Sequence, residues 1–235
     1  MTATGLDRWA PAHLISASPA AAEQVWLDVQ PPDEFVQAHT RPGQFCKIRV
    51  AGEEGMFAML SAPGDAPRFL VRVGNPKGGK AADALAALAS GTAIEMSLPG
   101  GAGFGLEAAR GADLRFVATG TGVAPVCAAI DHVLRRRGDF GAISLDHGIK
   151  SEAHLAIGEH IARWRTQGIE VRVSYSALDE NGAVVGTTVQ QALKAACPDL
   201  SGSVVVGVGQ SGMITSLRQV VTECGGDPDS LLTNY

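Results

Sequence analysis

Residues 117–125 read Val-Ala-Thr-Gly-Thr-Gly-Val-Ala-Pro. A strand-like lead runs into the turn Thr119-Gly120-Thr121-Gly122, and an apolar helical run follows. Glycines let a backbone come close to a ligand. The helix behind them aims unpaired N–H groups and a positive dipole end at an anion, and a pyrophosphate is the natural guest. Many strand–turn–helix junctions use glycine for geometry alone, so the motif by itself leaves both readings open. A second anion-facing candidate is the helix start at Gly79-Lys80-Ala81. His147 and Lys150 in Asp-His-Gly-Ile-Lys end a strand near where a ligand would lie; they read as a polar loop, with a catalytic role as the rival reading. Ser211 in Val-Gly-Gln-Ser-Gly-Met reads as a helix N-cap rather than a nucleophile, because no nucleophile elbow occurs. The four cysteines form no CxxC pair and no two histidines have metal-ligand spacing, so no metal is expected.

Two kinds of element must position these residues. Residues 11–98 hold short β-rich runs at 13–18, 24–29, 44–50, 57–61, 68–73 and 92–98, with one helix at 81–89. Six short strands and one helix predict an antiparallel barrel over residues 1–100. A Gly/Ala-rich linker follows at 101–111. Over 112–235, strands at 114–118, 142–147, 169–176 and 203–208 alternate with helices at 123–137, 151–168, 187–196 and 211–226. That alternation predicts a five-stranded parallel sheet covered on both faces, with ligands at the carboxyl ends of its strands. The 235 residues carry a formal net charge of −5 and 46% hydrophobic residues. This suits two cores and gives no sign of nucleic-acid binding. No apolar run spans a membrane and no leader pattern opens the chain, so the expected setting is the cytoplasm, with reduced buried thiols.

Arg-Pro-Gly-Gln-Phe at 41–45, Gly-Gly-Ala-Gly-Phe at 100–104, Gly-Thr-Gly-Val-Ala-Pro at 120–125, Val-Gly-Gln-Ser-Gly-Met at 208–213 and a terminal Asn-Tyr occur in this order. In that order the chain resembles the ferredoxin–NADP reductase superfamily of flavin-dependent reductases. It looks closest to a compact branch without an iron–sulfur extension. The resemblance implies a flavin in the barrel, FAD before FMN, and a nicotinamide dinucleotide in the second domain. Thr119, Gly120, Thr121, Gly122, Val123 and Pro125 would line the dinucleotide, and Gly209, Gln210, Gly212 and Met213 would close over its nicotinamide end. Phe57, Ala58, Met59, Leu60 and Ser61 would lie along the flavin ring. Val71, Arg72 and Val73, with Lys77, Gly78, Gly79, Lys80 and Ala81, would flank its phosphate. Phe57 and Tyr235 would stay nearest the chemistry, Tyr235 stacking on the flavin.

The sequence departs from the family pattern. The family's Arg-x-Tyr-Ser on the flavin strand falls on Gly55, Phe57 and Ala58, its Ser/Thr in the second phosphate turn on Ala82, and its Cys near the nicotinamide on Val208. Lys77, Lys80 and Arg72 lie near the expected phosphate end, and Lys77 or Lys80 is expected to replace the missing arginine. After the third strand of the second domain stand Asp179 and Glu180 with no cation, which leans toward NADH over NADPH. The implied function is a flavin-dependent NAD(P)H oxidoreductase passing electrons to a protein or small-molecule acceptor. The alternative is an accessory or regulatory protein of this fold with weakened or lost flavin binding, acting in a redox complex or as an NAD(P)H-binding module.

Overall fold

The computed structural model describes residues 5–75 and 79–234; Lys77, Gly78 and Tyr235 of the expected site lie outside the described residues. The first domain is a six-stranded antiparallel sheet. Its strands are β1 (Trp9–Ala21), β2 (Gln24–Gln30), β3 (Phe45–Val50), β4 (Glu53–Ala58), β5 (Arg68–Arg72) and β6 (Ala93–Ser97), in the order β4-β3-β6-β1-β2-β5. The edges β4 and β5 approach where Leu60 N donates to Arg68 O (2.8 Å), without a ladder between them. Helix α1 (Asp33–Ala38) follows β2, and helix α2 (Lys80–Ala86) lies between β5 and β6.

Two strands differ from their sequence-based bounds for local reasons. β1 runs through Pro11 and Pro19, which sequence reads as breakers; register shifts at Leu14/Ser16 and Pro19/Ala21 absorb the irregularity. The strand expected at 57–61 lies at 53–58, because Met59 and Leu60 both turn inward (0% and 4% exposed). Met59 joins the barrel core, while Leu60 and Leu70 join a second core that runs on through Phe104, Phe116 and Val206. The two domains therefore share continuous apolar packing.

The second domain carries β7 (Asp113–Thr119), α3 (Val123–Leu134), β8 (Ile143–Ile149), α4 (Gly158–Thr166), β9 (Glu170–Leu178), β10 (Val184–Gly186), α5 (Val189–Ala196), β11 (Ser203–Val208) and α6 (Ser211–Glu223). Strand order is β10-β9-β8-β7-β11. β9, β8, β7 and β11 are parallel, but the fifth strand is not: β10 folds back antiparallel on β9. Its turn is closed by Asp179, whose Oδ1 accepts from Asn181 N (2.9 Å) and Ala183 N (2.8 Å). α5 opens with a capping box between Thr188 and Gln191. α4 starts at Gly158, seven residues later than its sequence pattern suggests. The carbonyls of Ala153 and His154 are taken by the first domain, accepting from Ala22 N (2.7 Å) and Gln24 Nε2 (3.0 Å). Among the described residues, no helix is long and apolar enough to cross a membrane.

Candidate functional site at the domain seam

The two glycine turns expected to hold a dinucleotide end adjacent strands. β7 and β11 pair in parallel with Val117 opposite Gly207 and Ala118 opposite Val208, so Thr119–Gly122 and Gly209–Met213 emerge side by side. Gly120 takes a left-handed φ of +53°. A Cβ on Gly122 would lie 3.1 Å from Val208 O and 3.2 Å from Val208 Cγ1, and one on Gly209 would run into Thr119 Oγ1 and Met213 Cε. The glycines therefore let the turns close on each other. Val123 and Pro125 are buried at the start of α3, whereas Gln210 and Gly212 are exposed and Met213 is half-buried. Ser211 is not the cap of α6: Gln210 holds that place in extended backbone, and Ser211 lies inside the first turn.

His147 is not a loop residue. It points inward from β8 at 2% exposure, and its Nε2 lies 3.2 Å from Gly120 O. Burial pushes its pKa down to about 4. The ring is therefore neutral near pH 7, with Nε2–H donating to Gly120 O and thereby tying the glycine turn to the neighbouring strand.

The first domain meets this edge through its β1–β2 turn. Ala22 and Gln24 bond the carbonyls of Ala153 and His154, and Glu23 stands between them with φ +57°. Its carboxylate pairs with Arg72 at the end of β5 (2.9 Å) and with Lys150 just beyond β8 (3.3 Å). These charges border a crevice of about 70 Å³ whose other walls include Gly120 and Thr121. That is small beside the roughly 300–1,000 Å³ of pockets that enclose a whole small ligand. A larger depression of about 520 Å³ lies at the β3–β4 turn and contains none of the expected cofactor residues. Farther along the seam His160 sits beside Trp26 and Trp164 (6.4 and 5.5 Å between ring centres), and Arg135 donates to Pro63 O.

Residues 116–219 match the family described as oxidoreductase NAD-binding domain. The chain is 26% identical over 197 residues to the terephthalate 1,2-dioxygenase reductase component 1 of Comamonas sp, covering 80% of this chain and 57% of that protein. A ferredoxin NADP+ reductase from Neisseria gonorrhoeae with bound FAD and NADP superposes with a TM-score of 0.77 at 15% identity, over 93% of this chain and 92% of that one. The chain has the fold of these reductases, and its residues 116–219 match an oxidoreductase NAD-binding domain. The flavohem-like FAD/NAD-binding domain of a nitric oxide dioxygenase from Vibrio cholerae O1 biovar El Tor superposes equally well, at a TM-score of 0.77 and 16% identity over 95% and 96% of the two chains. This chain spans 57% of the length of the curated relatives it matches.

For reductases of this fold the dinucleotide residues fit: two glycine cradles that a Cβ would fill lie at one sheet edge. The barrel residues fit a flavin only in part. Phe57 is half-buried at the end of β4, edge-on to Phe69 (6.3 Å, 70°). Its ring folds back over Gly55, so that a Cβ there would lie 2.8 Å from Phe57 Cζ and 3.0 Å from Ala81 Cβ. The space over Gly55 is thus filled by the ring. Ala81 and Ala82 are buried at 3% exposure each, with no hydroxyl to offer a phosphate. Ser61 Oγ accepts from Arg68 N (3.2 Å), Val71 is core, and Val73 is half-buried. Gly79, at φ +92°, caps α2 ahead of an exposed Lys80, and Arg72 turns to Glu23 instead. Among the described residues, Phe57 offers a half-buried aromatic ring, and Ala81 and Ala82 offer no hydroxyl. Sequence reading missed Glu23, Gln24 and His154, whose partners lie about 130 positions away in the chain.

Proposed function

We propose that the chain is a flavin-dependent NAD(P)H oxidoreductase. The nicotinamide dinucleotide lies across the paired turns at Thr119–Gly122 and Gly209–Met213 and presents its nicotinamide to the seam. The observation that carries this reading is the closure of those two turns at the ends of adjacent strands β7 and β11, where open parallel sheets bind ligands. Flavin chemistry would be acceptance of hydride from the nicotinamide and delivery of electrons onward. FAD is proposed before FMN, with Phe57 and Tyr235 beside the ring. NADH is favoured over NADPH, because the turn after β9 carries Asp179 and Glu180 and no cation to meet a 2′-phosphate. The acceptor is a protein or a small molecule; the curated relatives are named as reductase components of a dioxygenase, so an oxygenase is the first partner to try. Four buried free cysteines suit a reducing cytoplasm.

A second reading is favoured by Phe57 lying over Gly55 against Ala81: an accessory protein that binds dinucleotide and has lost tight flavin binding. The visible spectrum of the purified protein, with and without anaerobic NADH, separates the two. A stoichiometric flavin spectrum that NADH bleaches supports the reductase. A colourless protein that takes up neither FAD nor FMN supports the accessory reading and overturns the first.

A further inference from the structure

We propose that Lys150 and Arg72 form a phosphate-receiving site at the seam, held by Glu23 until a phosphate group of the dinucleotide displaces it. This rests on the dinucleotide reading above and adds residues that the glycine turns do not include. Lys150 follows β8 directly, and β8 pairs with β7, so Lys150 lines the same crevice as Gly120 and Thr121. Arg72 reaches the same crevice from the other domain. The two cations share one carboxylate, which leaves the cluster with a net positive charge beside the half-buried glycine turn.

The carboxylate is placed rather than adventitious. The hydrogen bonds of Ala22 and Gln24 to Ala153 and His154 pin the chain on both sides of Glu23. Lys150 first, then Arg72, lowers the Glu23 pKa, so the group is ionised at neutral pH. Side-chain exposures of 46% for Glu23, 42% for Arg72 and 50% for Lys150 leave both pairs open to water, where ion pairs are weak. A phosphate offers more acceptor oxygens and makes charge-assisted bonds to both cations at once. The exchange therefore favours phosphate over Glu23, and it loosens one of the contacts that join the domains when ligand arrives.

The test is calorimetric titration of the full chain with NAD+ and NADH at two salt concentrations, alongside thermal melts. Lys150→Gln should weaken binding about tenfold and flatten its salt dependence, and Glu23→Gln should tighten it severalfold. Melting temperatures should move little in either variant. Adenosine, which lacks phosphate, should bind all three proteins alike. If wild type binds neither dinucleotide, the dinucleotide reading itself fails and this inference with it. If wild type binds and both variants match its affinity, the dinucleotide reading stands and the phosphate site is refuted. A Lys150→Gln loss of affinity that tracks a lowered melting temperature with an unchanged salt slope also refutes it, since the cluster is then only a structural bridge.

Discussion

Gly55→Ala tests whether the Phe57 ring fills the space over Gly55. A methyl at position 55 would sit 2.8 and 2.9 Å from Phe57 Cζ and Cε2 and 3.0 Å from Ala81 Cβ. Comfortable carbon–carbon contact is about 3.5–4.0 Å, so the ring must retreat by roughly 0.7 Å or more. Leaving its place weakens the edge-on contact with Phe69, worth about 0.5–1.5 kcal/mol beyond area. Overpacking of this kind costs about 1–3 kcal/mol. The opposing term is the usual gain of about 0.5–1 kcal/mol when alanine replaces glycine inside a strand. The net expectation is a loss of about 0.5–2 kcal/mol, opposite in sign to the local propensity. Urea unfolding at constant slope reads this out as a lowered midpoint. In a Phe57→Ala background the two nearest contacts are removed, and the same substitution should become neutral or stabilising. The coupling between the two positions should then be about 1–2 kcal/mol. A Gly55→Ala variant that gains stability, or loses the same amount in both backgrounds, refutes the claim that the ring fills this space. If the claim holds, Gly55→Arg alone restores no flavin-phosphate contact, because the arginine stem meets the ring first.

Arg172→Met should cost about 3–5 kcal/mol at neutral pH, because it strands the Asp146 carboxylate, which is 1% exposed and paired at 2.6 Å. Burial already raises the Asp146 pKa against the pull of Arg172, so the loss should shrink as pH falls and a proton neutralises the group; a loss below about 1 kcal/mol in denaturant melts refutes it. His39 and His147 are both pushed down to about 4 by burial. Their folded pKa values lie below the unfolded one near 6.5, so the stability they contribute is complete above pH 6.5 and is lost as pH falls toward 4, by up to about 3 kcal/mol each. His39→Gln and His147→Gln should each flatten the melting temperature against pH across that window, and an unchanged slope in both refutes the assignment. Cys46 and Cys127 are fully buried and their thiols are raised by that burial; both should resist maleimide in the native protein and react only on unfolding, and rapid native labelling of either refutes it.

The parts legible from sequence are those whose packing or backbone demands are written in the residue types themselves. Gly120 and Gly122 mark a strand–turn–helix junction because the left-handed φ and the close approach to Val208 both demand glycine there. Arg41–Phe45 and Gly100–Phe104 pack on each other: Gln44 bonds Thr40 N, Arg41 N and Gly101 O, and Phe104 N donates to Pro42 O. The misses have non-local causes. Nothing near residue 151 in sequence says that α4 cannot start there, because the carbonyls that forbid it are occupied by Ala22 and Gln24 of the other domain. β10 is three residues long and exists through a turn that Asp179 closes, so its antiparallel sense lies below the reach of periodicity.

The same distinction explains why cofactor arguments from sequence and from structure diverge at Arg72. Its position after Val71 points to the flavin phosphate by resemblance. Its guanidinium goes instead to Glu23, whose place depends on the docking of two domains. A charged side chain on a strand end can reach several partners within a few ångströms, and long-range packing chooses among them. Backbone cradles carry no such freedom, because Gly122 and Gly209 are fixed by what lies against their own Cα atoms. For this chain the paired glycine turns are therefore readable from glycine spacing. The ion pairs of Glu23 become readable only once the β1–β2 turn is seated against residues 150–154.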